Sequence, residues 1–596
     1  MWWAWLCLTA AASAQTAPAP ATPVIGAPDV PAAPVIGPKT PDLLPDALFA
    51  GFVPRLTLLI PPESMAALAK DPRSLVKFTL KETNGQTLEN CSLKLKGSAG
   101  SFRQINEDRP GFSIRTDKVK KDQEFRGSSK FQLNNCAQDG TMLHEQIAGE
   151  MSRKAGIVAS RCTHAYVTLN NKVLGTYVLK EGFNGELLSY FFKNTSGHLY
   201  DGGFLNEINP NLEVDKGDPA EKSRLLEFCG AIGEPDPAKR LQRMDKILDI
   251  DAYFRYLALE QVLCHWDGYS FNQNNYRTYE DPGSGKFYFL LHGMDQVYGD
   301  SRWYIFKPPA KAVPNALLFD KTMRERARTQ FFGVYEKVLR PIDWPRRATE
   351  IAADLKVKLK PIDPEESKRF EQRGKDAAGQ LKARLDCVKA QVEDAYRLRG
   401  AGGRAVLGAA NYVWVWSTDK GEAKEVNLGG KDCLYIKVGA EKGADWRLPL
   451  SLSPGRYRFE GKLQWKGVKA GAGDNAKGGR LRVSGVGGSD NAKNPPLLGD
   501  TPWKSVSVDF TVTDADPTLV IELRGEAGEL WADRSSLTVT CFPPPPSLRL
   551  PRWARRPRWP KRRLAPTRWA WWYRSPGPLV VSVRPRANRS SWPSVS

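Results

Sequence analysis

The spacing of apolar residues changes near residue 404, and this change divides the chain into two kinds of fold. After that point apolar and polar residues alternate in several runs separated by turn residues, as between Tyr457 and Trp465. A period of two is typical of a β-sandwich. Before it, strand-like runs are mixed with helical patterns. Because 596 residues exceed one hydrophobic core, we predict an α+β domain over 48–400 and an all-β sandwich or jelly roll over 404–541.

The first domain contains three helical patterns and a hairpin. Apolar residues recur every fourth position from Leu143 to Ala155, and a second pattern runs from Phe254 to Val262. A longer helix is predicted from Leu381 to Tyr396. Two β-rich runs between His164 and Glu181 flank Asn170-Asn171, which predicts a hairpin.

Both ends of the chain have unusual compositions. Residues 1–14 carry an apolar run and a small-residue cleavage site typical of a secretory signal, and residues 15–47 form a linker rich in Pro and Ala. Residues 543–596 hold twelve Arg, one Lys and no acid, so 13 of the 21 net positive charges lie in this tail. We favour an unstructured tail or an off-frame coding sequence over an arm that binds an anionic polymer. We expect no specific nucleic-acid partner.

The rest of the sequence indicates where the protein is located and whether it can form disulfides. No later apolar run approaches the ~20 residues needed to span a bilayer, so we expect a protein that is secreted, periplasmic or held at the cell surface. Eight cysteines follow the signal, and an even number permits disulfides in an exported chain. Cys433 and Cys541 occur near the first and last strands of the sandwich and are a candidate pair. The wide spacings give no zinc motif.

One stretch suggests the chemistry. His265-Trp-Asp-Gly-Tyr-Ser-Phe-Asn272 places an Asn five residues after Asp267, and Asp295 follows a β-like run. Protein kinases use that order: an Asp accepts the proton of the attacking hydroxyl, an Asn binds metal, and a later Asp holds Mg²⁺. Without further context, an Asp-Gly pair is more often only a turn.

Six blocks, in order, resemble the CotH (spore coat protein H) family of atypical protein kinases. They are Leu95-Lys-Gly-Ser-Ala-Gly-Ser101, Arg109-Pro-Gly-Phe-Ser-Ile-Arg115, Phe131 to Leu143, Leu169 to Glu181, Trp266-Asp-Gly with Asn274-Asn-Tyr276, and Phe289 to Gly299. The resemblance implies an atypical kinase-like α+β domain. The sequence departs from the family where His292-Gly-Met-Asp295 has one acidic residue instead of two. It also has Lys96 where the family usually has Arg, and Arg109 where the family usually has Lys.

The resemblance also implies roles for individual residues. Asp267 is the expected catalytic base and Asp295 the expected Mg²⁺ ligand, with Asn272 or Asn275 completing the metal's oxygen shell. The expected ATP-contacting residues are Lys96, Ser98, Arg109, Arg115 and Lys180, with Glu181 pairing with a lysine. His265 and His292 are expected to order loops, and Trp266 to pack in the core.

We therefore expect an exported Ser/Thr kinase that uses ATP and Mg²⁺ to phosphorylate an exported or surface protein. The alternative is a catalytically inactive, kinase-like surface protein that binds glycans or partners through the sandwich. Leu530-Trp-Ala-Asp-Arg-Ser-Ser-Leu537 resembles the closing strand of carbohydrate-binding jelly rolls, so a polysaccharide partner is expected for the second domain.

Overall fold

The computed structural model describes residues 47–83, 85–408, 411–419, 421–472, 478–486 and 492–543, with backbone only at 440–442. The predicted signal (1–14), nearly all of the linker (15–46) and the tail beyond 543 lie outside these residues. All described residues belong to one compact unit.

The N-terminal strands close into a seven-stranded barrel. Its strands and one helix are β1 (Arg55–Leu59), α1 (Pro62–Lys70), β2 (Val76–Glu82), β3 (Thr87–Lys96), β4 (Gly111–Arg115), β5 (Lys130–Asn134), β6 (Cys162–Leu169) and β7 (Lys172–Glu181). They pair in the order β1-β2-β3-β4-β5-β7-β6, and β6 closes the barrel on β1. Alternate residues such as Leu58, Leu93 and Leu133 point inward and are fully buried, as the period of two requires.

A helical region with a four-stranded sheet follows the barrel. Its elements are α2 (His144–Lys154), α3 (Gly185–Ser189), β8 (Leu199–Asp201), β9 (Glu213–Lys216), α4 (Ser223–Ile232), α5 (Pro237–Ile247), α6 (Ile250–Leu263), α7 (Tyr269–Asn272), β10 (Tyr276–Asp281), β11 (Lys286–Leu291), α8 (Ala312–Leu318), α9 (Lys321–Val334), α10 (Trp344–Leu359) and α11 (Pro364–Arg397). The sheet order is β11-β10-β8-β9. α6 is buried on nearly every face, and α2, inserted between β5 and β6, packs its apolar side into the same core.

The last part is rich in β-strands. Its strands are β12 (Arg404–Val406), β13 (Val415–Asp419), β14 (Glu422–Leu428), β15 (Lys431–Pro449), β16 (Gly455–Lys469), β17 (Gly478–Ser484), β18 (Gly499–Val512), β19 (Thr518–Asp533) and β20 (Thr538–Phe542). Inward-facing residues of these strands form a separate core that includes Leu434, Phe459 and Ile521. The predicted run from Tyr457 to Trp465 falls within β16.

Two expectations about the whole chain can be compared with this fold. All eight cysteines in the described residues are free thiols, so the candidate pair of Cys433 and Cys541 is not formed. In the sheet, β16 and β19 lie between the strands that carry these two cysteines, and each thiol contacts a backbone carbonyl of its own strand region. Among the described residues, no helix is long and apolar enough to cross a membrane.

Candidate functional site

A buried ion pair lies between the barrel and α2. Nζ of Lys180, on β7, is 2.9 and 2.8 Å from the two carboxylate oxygens of Glu145, in the first turn of α2. The two side chains are only 1% and 3% exposed. Lys180 Nζ also lies 3.1 Å from Nδ1 of His292. Burial, and then the charge of Lys180, hold the pKa of His292 well below its usual range, so the neutral ring accepts this hydrogen bond.

The lysine partner predicted for Glu181 is not the one that the structure shows. Glu181 pairs instead with Arg161, at 2.6 Å between Oε1 and Nη2 and 3.0 Å between Oε2 and Nε. Successive residues of a strand point to opposite faces, so Lys180 and Glu181 cannot meet. Only a weak pattern in the sequence could have pointed to Glu145. It lies on the same side of α2 as the small buried residues Ala148 and Ser152.

Lys96 is a second cation near this pair. It ends β3, is half-buried, and has no hydrogen-bond or ion-pair partner among the described residues. Burial, and then the neighbouring charge of Lys180, lower the pKa of Lys96, while Asp295 and Glu145 act in the opposite direction. An unpartnered ammonium beside a second cation favours an anion at this position.

The turn after Lys96 is held in a fixed shape. Gly97 has φ +113°, and a Cβ there would lie 2.9 Å from the Phe102 backbone, so no other residue fits well. Arg73 fastens the turn by donating to the carbonyls of Leu95 and Gly97 at 2.9 and 2.5 Å. Ser98 is exposed, and its N–H donates to Ser101 Oγ at 3.2 Å. Its own hydroxyl is therefore available at the protein surface.

Two predicted cofactor contacts lie elsewhere. The guanidinium of Arg109 donates to the Thr176 carbonyl and stacks 5.2 Å from the ring centre of Tyr177. Arg115 forms a two-bond ion pair with Asp117 at 3.0 Å. On β4, Arg115 lies four residues from the position opposite Lys96, which is roughly 13 Å along a strand. Neither arginine joins the lysine cluster.

Asp267 is surrounded by amide donors. It follows α6, and three asparagines, one at the end of α7 and two just before β10, return to it. Nδ2 of Asn272 is 2.6 Å from Oδ1, and Nδ2 of Asn274 and Asn275 are 2.9 and 2.7 Å from Oδ2. Asn275 has φ +48°, a conformation that Asn tolerates better than most residues. The three amides fix the orientation of a half-exposed carboxylate.

Asp295 provides the free carboxylate of the site. Its backbone carbonyl accepts from His144 Nδ1 at 2.9 Å, whereas its half-exposed carboxylate has no hydrogen-bond partner in the described part of the chain. Gly293, two residues earlier, has φ +59°, and a Cβ there would lie 2.2 Å from Asn275 Oδ1. The glycine thus lets the Asp295 loop approach the Asn275 loop closely.

These residues fit Mg²⁺ held jointly with phosphate better than an all-protein metal cage. Within the described residues, no group of three or more His, Cys, Asp and Glu is arranged to bind a metal. Mg²⁺ commonly takes one or two carboxylates and completes its shell with water and substrate phosphates. Asp295 supplies such a carboxylate. Asn272 and Asn275 give their nitrogens to Asp267, so only their carbonyl oxygens remain for a metal.

The neighbouring aromatic residues differ in their roles. His265 is fully buried, and its Nε2 lies 2.9 Å from the His292 carbonyl, which joins the Asp267 and Asp295 loops. Burial lowers the pKa of His265, so it donates this bond as a neutral ring. Trp266 was predicted to pack in the core, but it is 46% exposed. The turn after α6 points it outward, while the preceding His265 points inward.

A family model described as "CotH kinase protein" matches residues 93–396, which is 304 of the 596 residues. The chain belongs to the CotH kinase protein family. This confirms the resemblance inferred from the six sequence blocks. A CotH domain is thus followed by a β-rich region.

Curated CotH relatives come from the fungus Rhizopus delemar. Invasin CotH7 is 24% identical over 235 residues, covering 35% of this chain and 39% of the relative. Invasin CotH3 is 27% identical over 196 residues, covering 28% and 31%. Spore coat protein homolog 1 is 22% identical over 237 residues, covering 35% and 38%. The matches therefore span less than half of each relative's length.

Solved structures similar to this chain include small β-domains. TmCBM61 in complex with β-1,4-galactotriose is 15% identical, covers 22% of this chain and 88% of that one, and has a TM-score of 0.16. The CBM22-1 xylan-binding domain from Paenibacillus barcinonensis Xyn10C is 14% identical, with coverages of 24% and 97% and a TM-score of 0.17.

Proposed function

We propose that this CotH protein is an atypical protein kinase that transfers the γ-phosphoryl group of ATP to Ser or Thr hydroxyls of an exported or surface protein. The observation that carries the proposal is the buried pair of Lys180 and Glu145, 2.8 Å apart. Burying two charges has a large desolvation cost, and perturbed charges of this kind cluster at functional sites. Lys96, which has no partner among the residues that the structure describes, lies in the field of the same pair.

Each residue has a defined task in this proposal. Glu145 and His292 hold the Lys180 ammonium in one orientation, and Lys96 offers a second ammonium to phosphate oxygens. Asp295 would hold Mg²⁺, which when bound neutralises charge on the phosphates. Phosphoryl transfer depends mainly on such positioning and charge neutralisation.

Asp267 would orient the acceptor hydroxyl and take its proton. A carboxylate has about four acceptor positions, and the three asparagine amides use most of them. The remaining position can accept one O–H bond from the acceptor side chain. The fixed amides also prevent the carboxylate from rotating away, so the hydroxyl is held in one direction.

The test uses the full chain with labelled ATP and Mg²⁺ and measures incorporation into itself and into exported proteins from its source. Asp267→Ala and Asp295→Ala should each lower incorporation by at least about 100-fold, the usual contribution of a positioned acid–base group. Asp376→Ala, an exposed site on α11, should retain activity. Incorporation that survives both site changes would contradict the assignment.

An exported or surface location is part of the proposal. It is supported by the signal-like residues 1–14 and by relatives named as invasins and as a spore coat protein. Detection of the protein in culture medium or on intact cells, with the N-terminal peptide beginning after Ala14, would test it. Retention of the complete N-terminus inside the cell would contradict it.

A second candidate function is glycan binding by the β-rich region. Tyr435 and Trp531 are opposite neighbours on β15 and β19, with ring centres 5.2 Å apart on the face of the sheet opposite the core residues Leu434 and Leu530. Trp531 is partly exposed and Tyr435, only 7% exposed, packs beside it. Gln464 lies opposite Trp531 on the next strand, and Glu529 accepts from the Tyr435 hydroxyl at 2.7 Å. Flat aromatic rings beside polar groups suit the apolar face and hydroxyl rim of a sugar.

Affinity electrophoresis against a panel of soluble polysaccharides would test this second function. A polysaccharide that slows the migration of the wild-type chain should no longer slow the Trp531→Ala variant. The matched control is Trp416→Ala, an exposed tryptophan on β13 of the same region. Equal retardation of both variants would contradict the proposed face, and glycan binding without ATP binding would favour the inactive surface-protein alternative.

A further inference from the structure

The two chain segments that carry Asp267 and Asp295 are bound to each other at several points. The Tyr298 N–H donates to the Leu263 carbonyl at 2.7 Å. Cys264 Sγ donates to the Asp300 carbonyl at 2.9 Å. Together with the bond from His265 to His292, these contacts join the end of α6 to the segment after β11. The distance between the two catalytic carboxylates therefore depends on this junction.

One side chain from a third element completes the junction. Arg384, on α11, is fully buried. Its Nε and Nη2 donate to the carbonyls of Val262 and Gln261, each at 2.9 Å. Its Nη1 donates to the carbonyls of Ser301 and Trp303 at 2.9 and 2.7 Å. One guanidinium thus bonds to both segments.

The charge of Arg384 is balanced by carbonyl dipoles. No carboxylate pairs with it among the described residues. Gln261 and Val262 lie in the last turn of α6, where carbonyls lack the i+4 partners of the helix interior and the helix dipole is negative. The Gln261 carbonyl also accepts the Cys264 N–H at 3.3 Å. A planar guanidinium offers five N–H groups in a fixed fork, which suits four carbonyls that converge from two directions. A buried cation without these bonds would be strongly unfavourable.

We infer that Arg384 is a positioning residue for phosphoryl transfer: it touches neither carboxylate but fixes the spacing of Asp267 and Asp295. The inference rests on the proposed kinase function. Lysine at this position would keep the charge but is a point donor that cannot reach all four carbonyls. The lysines on the barrel do not contact Arg384, so nucleotide binding should be less affected than the chemical step.

The test compares Arg384→Lys and Arg384→Gln with Arg369→Lys, the same change at an exposed position of the same helix. Both Arg384 variants should lower kcat at least tenfold while KM for MgATP stays within twofold, and Arg369→Lys should change neither. Hydrogen exchange should accelerate in peptides that cover 261–268 and 298–304. Unchanged kcat and unchanged exchange in both variants would overturn the inference.

Two further outcomes distinguish a failure of this inference from a failure of the proposed function and from a failure of the variants to fold. If the wild-type chain transfers no phosphoryl group, the proposed function fails, and the exchange measurement alone decides whether Arg384 fixes the two segments. If both variants fail to fold, native-state exchange of the wild-type chain decides. One shared opening free energy for 261–268 and 298–304 supports the inference, and clearly different values overturn it.

Discussion

At the residue scale, the site depends on which oppositely charged side chain each charged residue contacts. Lys180 meets Glu145 from a helix 35 positions earlier, while its neighbour Glu181 points to the opposite side of β7 and binds Arg161. A buried lysine without a counter-charge would be neutralised or hydrated. The pair therefore keeps a charged ammonium next to the position expected for phosphate.

A double-mutant cycle on this pair should show strong coupling. Lys180→Met or Glu145→Leu alone should lower the free energy of unfolding by about 3–5 kcal/mol, because each leaves one buried charge without a partner. The double variant should be less destabilised than the sum of the two. Urea unfolding measures all three. Additive losses would contradict a coupled pair.

The same double variant separates stability from function. It should remain folded, because two apolar side chains replace the two charges, yet it should bind MgATP at least tenfold more weakly than the wild-type chain. Isothermal titration with a non-hydrolysable ATP analogue gives this affinity. Wild-type affinity in the folded double variant would show that Lys180 does not contact the nucleotide.

At the element scale, α6 and α7 are locked by a carboxyl group that is not exposed to water. Glu260 lies on the buried side of α6 and accepts from the Ser270 N–H of α7 at 3.3 Å. Burial raises the pKa of Glu260 to about 8. The neutral carboxyl is thus the stable form in the folded protein at neutral pH. Gly268 packs against this carboxyl, and only glycine fits there because the Cβ of any other residue would collide with Oε1.

This carboxyl predicts a specific pH dependence. Between pH 4.5 and 8 the folded protein keeps a proton that the unfolded chain releases, so the free energy of unfolding should fall as pH rises, by up to about 1.4 kcal/mol per pH unit. Glu260→Gln removes this contribution. The wild-type free energy of unfolding minus that of the variant, from urea unfolding at several pH values, should fall steadily as pH rises across this window. A constant difference would contradict the prediction.

The sequence was most informative where the residues of the site lie close together along the chain. Asp267 and its three asparagines fall within nine residues, and period-two and period-four patterns located the strands and helices around them. It was least informative for partners across the fold. The register that separates Arg115 from Lys96, and the arrival of Glu145 and Arg384 from distant helices, depend on packing that no local pattern specifies.

At the scale of the whole molecule, the β-rich region packs firmly on the CotH domain. Arg328, a buried residue of α9, donates to Ser451 Oγ at 2.8 Å and to Asp516 Oδ1 at 2.7 Å. The Ser451 N–H donates to the Tyr304 hydroxyl at 3.0 Å. Tyr304 adjoins Trp303, one of the residues bound by Arg384. The β-rich region thus supports the segment that follows Asp295.

Truncation after residue 400 should therefore destabilise the CotH domain itself. Arg328 would lose Asp516 and Ser451 and keep only its ion pair with Glu325. Apolar surface of Tyr304 and Leu398, which the β-rich region covers, would become exposed to water. Calorimetry of the full chain should show one main transition, and residues 47–400 should unfold at a clearly lower temperature or fail to fold. An unchanged Tm for the fragment would show that the two parts are independent.

The free cysteines have a consequence for how the protein can be made and where it can work. Most are buried, and burial raises the pKa of Cys91 and Cys264 to about 11, so their reactive thiolate forms are scarce. No disulfide links the described residues, so this part of the chain needs no oxidant to fold. The chain should reach the same structure in a reducing or an oxidising compartment, and millimolar dithiothreitol should leave its melting temperature unchanged.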